Sequence, residues 1–188
     1  MTQILPPRTL VRDGLTSAVA LFLLFQTSAQ SIQLADGTTY FANVPRLAKA
    51  RTTFNRARTF GATYYFTLHV PNDAGEPLQR VMFKQQKGVD HIAFNLKRTR
   101  AYVDERQKLP IEIAKVSADE QGSVVIAFDP PVLPGETVTI GLRPNRNPSV
   151  SGVYLFGVTA FPQGEQAHGQ FLGYGRLHFY DHFRHPFR

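Results

Sequence analysis

Residues 62–70 read ATYYFTLHV, and their side chains alternate between two faces with a period of two. One face carries the large apolar set Tyr64, Phe66, Leu68 and Val70. The other face carries the more polar set Thr63, Tyr65, Thr67 and His69. Because successive side chains of a strand point to opposite sides, this pattern predicts a strand with one buried face.

The same alternation recurs along most of the chain and predicts an all-β protein. Further strands are expected at residues 78–85, 92–96, 111–116, 124–128, 138–142, 153–161 and 170–180. Turn sequences separate them, such as PPVLPG at residues 130–135. About eight short strands with turns between them are typical of an antiparallel β-sandwich with immunoglobulin-like architecture. The pattern leaves the strand order open.

Three segments depart from this simple alternation. Residues 45–50 predict one or two turns of helix, because Pro45 suits the first position of a helix. Residues 99–109 are polar and predict an excursion over the surface. Gly173 and Gly175 loosen the last strand and predict a bulge or a close backbone approach there.

The first 29 residues have the features of a secretory signal peptide. Arg8 and Arg12 precede an apolar run at residues 15–25, and the small residues TSA follow at 27–29. A membrane anchor is the alternative, but the run is shorter than the ~20 apolar residues that cross a bilayer. We therefore expect export, cleavage near Ala29, and a mature domain at residues 30–188 without a transmembrane anchor.

The composition supports one globular domain and excludes several kinds of site. A chain of 188 residues with 43% hydrophobic residues can build one core of ordinary size. It contains no cysteine, which excludes disulfides, a thiolate nucleophile, iron–sulfur clusters and cysteine zinc sites. The domain is therefore expected to be stabilised by burial alone, and no cofactor is expected.

Positive charge is concentrated in the first half of the expected mature domain. Residues 45–108 hold 13 basic and 5 acidic residues, whereas residues 109–188 hold 6 and 7. Two groups of cations are closely spaced, namely Arg46, Lys49, Arg51, Arg56 and Arg58, and then Lys97, Arg98 and Arg100. These residues predict a basic patch that attracts a polyanion such as acidic polysaccharide, anionic lipid or lipopolysaccharide phosphate.

The same charges also have an interpretation that involves no ligand, and one polyanion is not expected as a partner. A solvated basic surface also keeps an exported domain soluble without binding anything. Nucleic acid is not an expected partner, because the protein is expected to be exported and carries no nucleic-acid-binding motif.

Signals for metal binding and catalysis are weak. On an extended strand His178 and His182 would project to one side, which makes them candidate metal ligands. Their spacing matches no zinc signature, and Arg184 and Arg188 nearby would repel a cation. The Gly-x-Ser-x-Gly nucleophile motif is absent, so no catalytic residue is assigned.

Several runs of sequence resemble the family catalogued as domain of unknown function 2808. The runs are QLADGTTYF (33–41), GATYYFTL (61–68), GEPL (75–78), FDPP (128–131), GVYLFGVTAFP (152–162) and HGQFLG (168–173). The resemblance implies a cyanobacterial protein with a signal peptide. It implies no assigned activity and brings no catalytic residues.

Two hypotheses about function remain. The first is a non-enzymatic envelope domain that binds a surface partner, either a protein or an anionic glycan. The second is a hydrolase or carbohydrate-active enzyme that uses carboxylates from separate loops, drawn from Asp104, Glu112, Asp129, Glu136 and Glu165. An enzyme requires a deep pocket where two of them converge, whereas a binding module requires a shallow basic or aromatic face.

Overall fold

The computed structural model describes residues 32–33, 36–104 and 108–181. The strands are β1 (Ile32–Gln33), β2 (Thr38–Tyr40), β3 (Arg46–Thr52), β4 (Tyr64–His69), β5 (Leu78–Lys87), β6 (Arg100–Val103), β7 (Leu109–Pro110), β8 (Ile113–Ala118), β9 (Val124–Val132), β10 (Thr137–Leu142), β11 (Gly152–Pro162), β12 (Gln166–Ala167) and β13 (Gln170–Phe179). A short 3-10 helix spans Leu96–Arg98. No helix in these ranges is long and apolar enough to cross a membrane.

The strands form two five-stranded antiparallel sheets that pack face to face. The first sheet has the order β3-β4-β10-β6-β7, and the second has the order β13-β11-β5-β9-β8. A small third sheet has the order β1-β2-β12, in which β12 runs parallel to β2. The predicted all-β, immunoglobulin-like antiparallel sandwich is confirmed. The expected signal peptide lies outside the described residues, so the division at residue 29 stays a prediction.

The core lies between the two large sheets and is rich in aromatic rings. The apolar face predicted for β4 is fully buried, from Tyr64 to Val70. The Phe66 ring on β4 lies 4.7 Å from the Phe83 ring on β5 and 5.9 Å from the Phe156 ring on β11. Each buried ring of this kind stabilises the fold by about 1.5–3 kcal/mol relative to exposure. The inward aromatic residues therefore join the two sheets.

The helix expected at residues 45–50 was wrong, because this segment is the edge strand β3. Arg46, Lys49 and Arg51 are exposed, whereas Leu47 and Ala50 pack against the core. The strand pairs along β4 with one register shift between Leu47 and Lys49. Backbone pairing with β4 satisfies the hydrogen-bonding groups along one side of β3, and this outweighs a weak local preference for helix.

Two other expectations about residues 92–109 need correction. The surface excursion expected at residues 99–109 contains β6, which lies between β10 and β7. The strand expected at residues 92–96 is instead a loop with a single bridge between Phe94 and Pro144, followed by the 3-10 helix. Ile92 and Phe94 still pack into the core, so their alternating burial reflects a loop that closes one end of the sandwich.

The two glycines of the last strand have the roles expected of them. The pairing of β13 with β11 shifts register between Val158 and Thr159, opposite Gly173. A Cβ atom on Gly175 would lie 2.5 Å from Cε1 of Phe66 and 3.1 Å from the Ala50 Cβ. A bulge and a close approach therefore both occur, and the second brings β13 against β3.

We expect Gly175→Ala to lower the free energy of unfolding by about 1–3 kcal/mol, because the added methyl group overpacks a rigid aromatic contact. Gly157→Ala is the matched control, since its Cβ would lie no closer than 3.3 Å to the neighbouring side chains Phe171 and Gln86. Urea denaturation of both variants measures the difference. Equal losses in the two variants would contradict the close approach at Gly175.

Asp90 connects two loops at one end of the sandwich. Its Oδ2 atom accepts hydrogen bonds from the backbone N–H groups of Ser149 and Val150, the latter at 3.2 Å. The hydrogen bond from Ser149 is the main cause that lowers the pKa of the Asp90 carboxyl below its ordinary value. The ionised carboxylate therefore stabilises the folded state at neutral pH.

This lowered pKa predicts how stability changes in acid. The contribution of Asp90 is present above its unfolded pKa of about 4 and is lost as the pH falls through the lower folded pKa. Asp90→Asn should therefore be less stable at neutral pH and lose less stability on acidification. Urea denaturation across a pH series checks this, with the exposed Glu120→Gln as control. An acid profile unchanged from wild type would contradict the role of Asp90.

Candidate functional site

The outer face of the first sheet presents one row of side chains across four strands. Arg51 on β3 pairs with Tyr65 on β4, Tyr65 pairs with Gly141 on β10, and Gly141 pairs with Arg100 on β6. Directly paired residues in adjacent strands project on the same side of a sheet. Adjacent strands are about 4.8 Å apart, so the two arginine backbones at the row's ends lie about 14 Å apart.

Two further rows continue this face along the strands. The second row is formed by Lys49, Thr67, Thr139 and Tyr102. The third row is formed by Arg46, His69 and Thr137. Hydroxyl groups connect the central strands, with 3.0 Å between the Oγ1 atoms of Thr67 and Thr139. We call the outward side chains Arg46, Lys49, Arg51, Tyr65, Arg100 and Tyr102 the basic face.

A shallow groove of about 630 Å³ opens on the basic face. Its walls and floor are formed by Thr63, Tyr65, Arg98, Arg100, Ala101, Tyr102, Lys108, Pro110, Gly141 and Arg143. None of these lining residues is acidic. The groove therefore combines cationic groups with the rings of two tyrosines in one solvent-open depression.

Gly141 makes the depression at the centre of the first row. A Cβ atom there would lie 3.1 Å from Cε1 of Tyr65 and 3.2 Å from Cγ2 of Thr63. The Tyr65 ring thus leans over the glycine, and its centroid lies 6.4 Å from that of Tyr102. A larger residue would fill the floor between the two rings.

Two arginines of the first row are held in place by their neighbours. The Arg51 guanidinium lies over the Tyr65 ring, 4.4 Å from its centroid. Nη1 of Arg100 donates hydrogen bonds to the carbonyl oxygens of Thr99, at 2.8 Å, and Lys97, at 3.3 Å. Each guanidinium has five N–H donors, so these contacts fix its position and leave donors for a ligand.

The charged residues in the strands of the first sheet are all basic. Its five strands contain no aspartate or glutamate, whereas they carry Arg46, Lys49, Arg51 and Arg100. Arg98, Lys108 and Arg143 add three more cations from the adjoining loops. Like charges on one face raise the local positive potential and attract anions.

The family of the chain is shown by a match to its sequence model. The model described as "Protein of unknown function (DUF2808)" matches residues 38–179, which include every strand from β2 to β13. The chain belongs to this family. No curated protein matches the sequence.

Solved structures similar to this DUF2808 domain are distant. The collagen-binding domain of a Staphylococcus aureus adhesin has 7% identity and a TM-score of 0.37, over 63% of this chain and 87% of that domain. A cohesin module from a Clostridium perfringens glycoside hydrolase has 14% identity and a TM-score of 0.39, over 71% and 98%.

A third similar structure is larger than this chain. It is a chain from the structure of manganese lipoxygenase of Gaeumannomyces graminis and part of zonadhesin of Komagataella pastoris, with 11% identity and a TM-score of 0.39. The alignment covers 69% of the DUF2808 chain and spans about half, 48%, of that chain.

The fold brings five of the eight cations predicted as a basic patch onto one side of the sandwich. Arg46, Lys49 and Arg51 project from β3, and Arg98 and Arg100 line the groove on the same sheet. Two groups that are about fifty residues apart in sequence thus form one surface.

The other three cations of the predicted patch lie elsewhere. Lys97 is exposed on the 3-10 helix and contributes only its carbonyl oxygen, which accepts from Arg100. Arg56 and Arg58 follow β3, where the Arg56 carbonyl accepts from Asn147 and the Arg58 N–H donates to Pro148. These two residues belong to a loop at the end of the sandwich and not to the groove.

Sequence reasoning missed several residues of the site, among them Tyr65, Tyr102, Lys108, Gly141 and Arg143. The alternation of residues 62–70 places Tyr65 on the more polar face, and this position is the only sequence feature that points to Tyr65 as an outward side chain. Nothing in the local sequence around Lys108 or Arg143 indicates that they meet. Their proximity depends on the strand order of the first sheet.

The histidine candidates are not arranged as a metal site in the part of the chain that the structure describes. Nε2 of His178 accepts a hydrogen bond of 2.8 Å from Nε of Arg176, so one of its two possible metal-binding nitrogens is occupied by a cation's donor. His182 lies outside the described residues. Among those described, no group of three metal-ligating side chains occurs.

The five candidate catalytic carboxylates are dispersed, and none lines the groove. Glu136 Oε2 accepts from the Leu133 N–H within a turn. Asp129 and Glu112 are neighbours through a backbone hydrogen bond of 3.2 Å, yet both side chains are exposed on the surface. Asp104 directly follows β6, and Glu165 lies in the exposed loop before β12.

Proposed function

We propose that this protein is an exported, non-enzymatic domain of the cyanobacterial cell envelope that binds an anionic glycan. The binding site is the groove on the basic face. The observation that supports this most is the row of Arg51, Tyr65, Gly141 and Arg100, in which cations flank an aromatic ring above a glycine floor. Carboxylate or sulfate groups of the glycan pair with the arginines.

The tyrosines favour a sugar polymer over a simple ion. Tyr65 and Tyr102 present ring surfaces inside the groove, and such rings pack against the apolar face of a sugar. Arginine forms bidentate hydrogen bonds with carboxylate-like groups, which adds direction to the charge attraction. Rings and cations side by side therefore suit a pyranose that bears acidic substituents.

The surface chemistry favours a glycan over a protein partner. Arginine and tyrosine are enriched in the cores of protein interfaces, so these residue types alone do not decide between the two partners, but charged residues as a class are depleted there. Four exposed cations dominate the basic face, namely Arg46, Lys49, Arg51 and Arg100, and this density of like charge favours a polyanion. Such a face is expected to bind a polyanion with strong dependence on salt.

Titration of the purified protein with dextran sulfate, alginate and neutral dextran tests this function. We expect saturable binding of the two acidic polymers, weakened by raised salt, and no binding of dextran, which shares the sugar backbone of dextran sulfate. Failure of both acidic polymers to bind at low salt would refute the proposal. The mass of the secreted protein should show a mature chain that begins near Gln30.

A further inference from the structure

A second depression lies at the seam where the edge strands β3 and β13 meet. It has a volume of about 310 Å³. Its lining is formed by Ala50, Arg51, Thr52, Asn55, Arg176, Leu177, His178 and Tyr180, none of which is acidic. We call this depression the seam pocket. It combines two arginines, a histidine and a tyrosine.

Arg51 connects the seam pocket to the groove. Its guanidinium covers the ring of Tyr65, which lines the groove, while Arg51 itself lines the seam pocket. The stacked side chains of Arg51 and Tyr65 therefore lie between the two depressions. A polymer leaving the groove past Tyr65 meets Arg51 and then the seam pocket.

Gly175 brings the second arginine to this place. Because Gly175 has no side chain, β13 approaches Ala50 closely, and the next residue on each strand is Arg176 and Arg51 respectively. Arg176 is exposed and donates from Nε to Nε2 of His178, and the His178 ring is stacked with that of Tyr180. This contact uses one of the five donors of Arg176 and orients the others.

The acidic residue nearest along the chain does not line the seam pocket. Asp181 directly follows Tyr180, but its Oδ2 accepts a 2.8 Å hydrogen bond from the Ser151 hydroxyl, which directs the carboxylate toward Ser151. Ser151 immediately precedes β11, on the side of β13 away from β3. The seam pocket therefore keeps the positive character of Arg51 and Arg176.

We infer that the seam pocket is a second anion subsite and that the ligand is a linear polyanionic glycan that occupies the groove and the seam pocket together. This rests on the proposed function. The backbones of Arg100 and Arg51 alone are about 14 Å apart across the sheet, and Arg176 lines the seam pocket beyond Arg51, on β13 of the second sheet. A glycan that reaches Arg176 binds much more tightly than one that fills only the groove, because the second contact is intramolecular.

Affinity for alginate oligosaccharides of increasing length tests this inference. For the wild-type protein we expect a steep rise once the chain is long enough to span both depressions. Arg176→Gln should weaken binding of long oligosaccharides about tenfold, the loss of one charge-assisted contact, and should leave short ones unchanged. Arg80→Gln is the matched control, since Arg80 is on the outer face of the second sheet, stacked on Phe161.

The outcomes separate the two proposals. Equal affinities of Arg176→Gln and Arg80→Gln for long chains, or no gain with length in the wild type, would overturn the second subsite and leave groove binding in place. If no oligosaccharide or polymer of either acidic kind binds the wild type, both proposals fail. Thermal unfolding of each variant verifies that Arg176→Gln keeps the fold.

Discussion

Replacing Arg51 and Arg100 together by glutamine is expected to weaken binding of dextran sulfate about a hundredfold at low salt. These residues stand at the two ends of the first row, and each offers a guanidinium held by neighbouring groups. A hydrogen bond to a charged group contributes about 1.5–3 kcal/mol, and every 1.4 kcal/mol is tenfold in affinity. Titration calorimetry on both proteins measures the change.

The control for this variant has the same net charge. Lys84 on β5 and Lys115 on β8 belong to the second sheet, on the other side of the sandwich. Changing both to glutamine removes two positive charges without touching the groove, so only a small loss of affinity is expected. If the two double variants lost affinity equally, binding would depend on total charge and the groove would not be the site.

Asn147→Ala is expected to lower the free energy of unfolding by about 3–5 kcal/mol, a loss typical of a broken buried polar network. Asn147 is only 2% exposed. Its Oδ1 atom accepts a 2.9 Å hydrogen bond from the Tyr64 hydroxyl. Its Nδ2 atom donates to the carbonyl oxygens of Phe54, at 2.9 Å, and Arg56, at 2.8 Å. Removing the amide leaves all three groups without this partner.

Tyr64→Phe measures the contribution of one hydrogen bond of this network, the one from the Tyr64 hydroxyl to Asn147. Burial raises the pKa of the Tyr64 phenol, so its hydroxyl stays protonated and donates to Asn147. Loss of the hydroxyl should cost about 1–2 kcal/mol, because the two donated bonds of Asn147 remain. Urea denaturation of both variants gives the comparison. A cost for Asn147→Ala no greater than that for Tyr64→Phe would contradict the role of Asn147.

This network also supports the candidate site. Asn147 fixes residues 54–56, which follow β3 and include Asn55 of the seam pocket. The end of β3 is thereby held against the loop before β11. Asn147→Ala should therefore also weaken binding of long alginate chains more than that of short ones.

Strands that bury one face were predictable from sequence, because apolar and polar residues alternate along them with the burial of successive side chains. Residues 62–70 show this most clearly, since the four large apolar side chains all point into the core. The edge strand β3 was not predictable, since it buries only Leu47 and Ala50 partly and its basic side chains carry no burial signal. Pro45 then suggested a helix that the pairing with β4 overrides.

The candidate site was predictable only as a list of cations. Arg51, Tyr65, Arg100 and Gly141 meet because three separate strand pairings align them in register. Long-range pairing of this kind leaves no local pattern in the sequence, so the row and its glycine floor required the structure. The family resemblance was confirmed by the match over residues 38–179, but it assigns no site.

Chemical-shift mapping by NMR of the wild-type protein with an acidic alginate oligosaccharide tests the binding site most directly. We predict that the backbone amides that shift cluster on β3, β4, β10 and β6, around Arg51, Tyr65, Gly141 and Arg100. Shifts confined to the second sheet, or spread evenly over the surface, would contradict the basic face as the binding site.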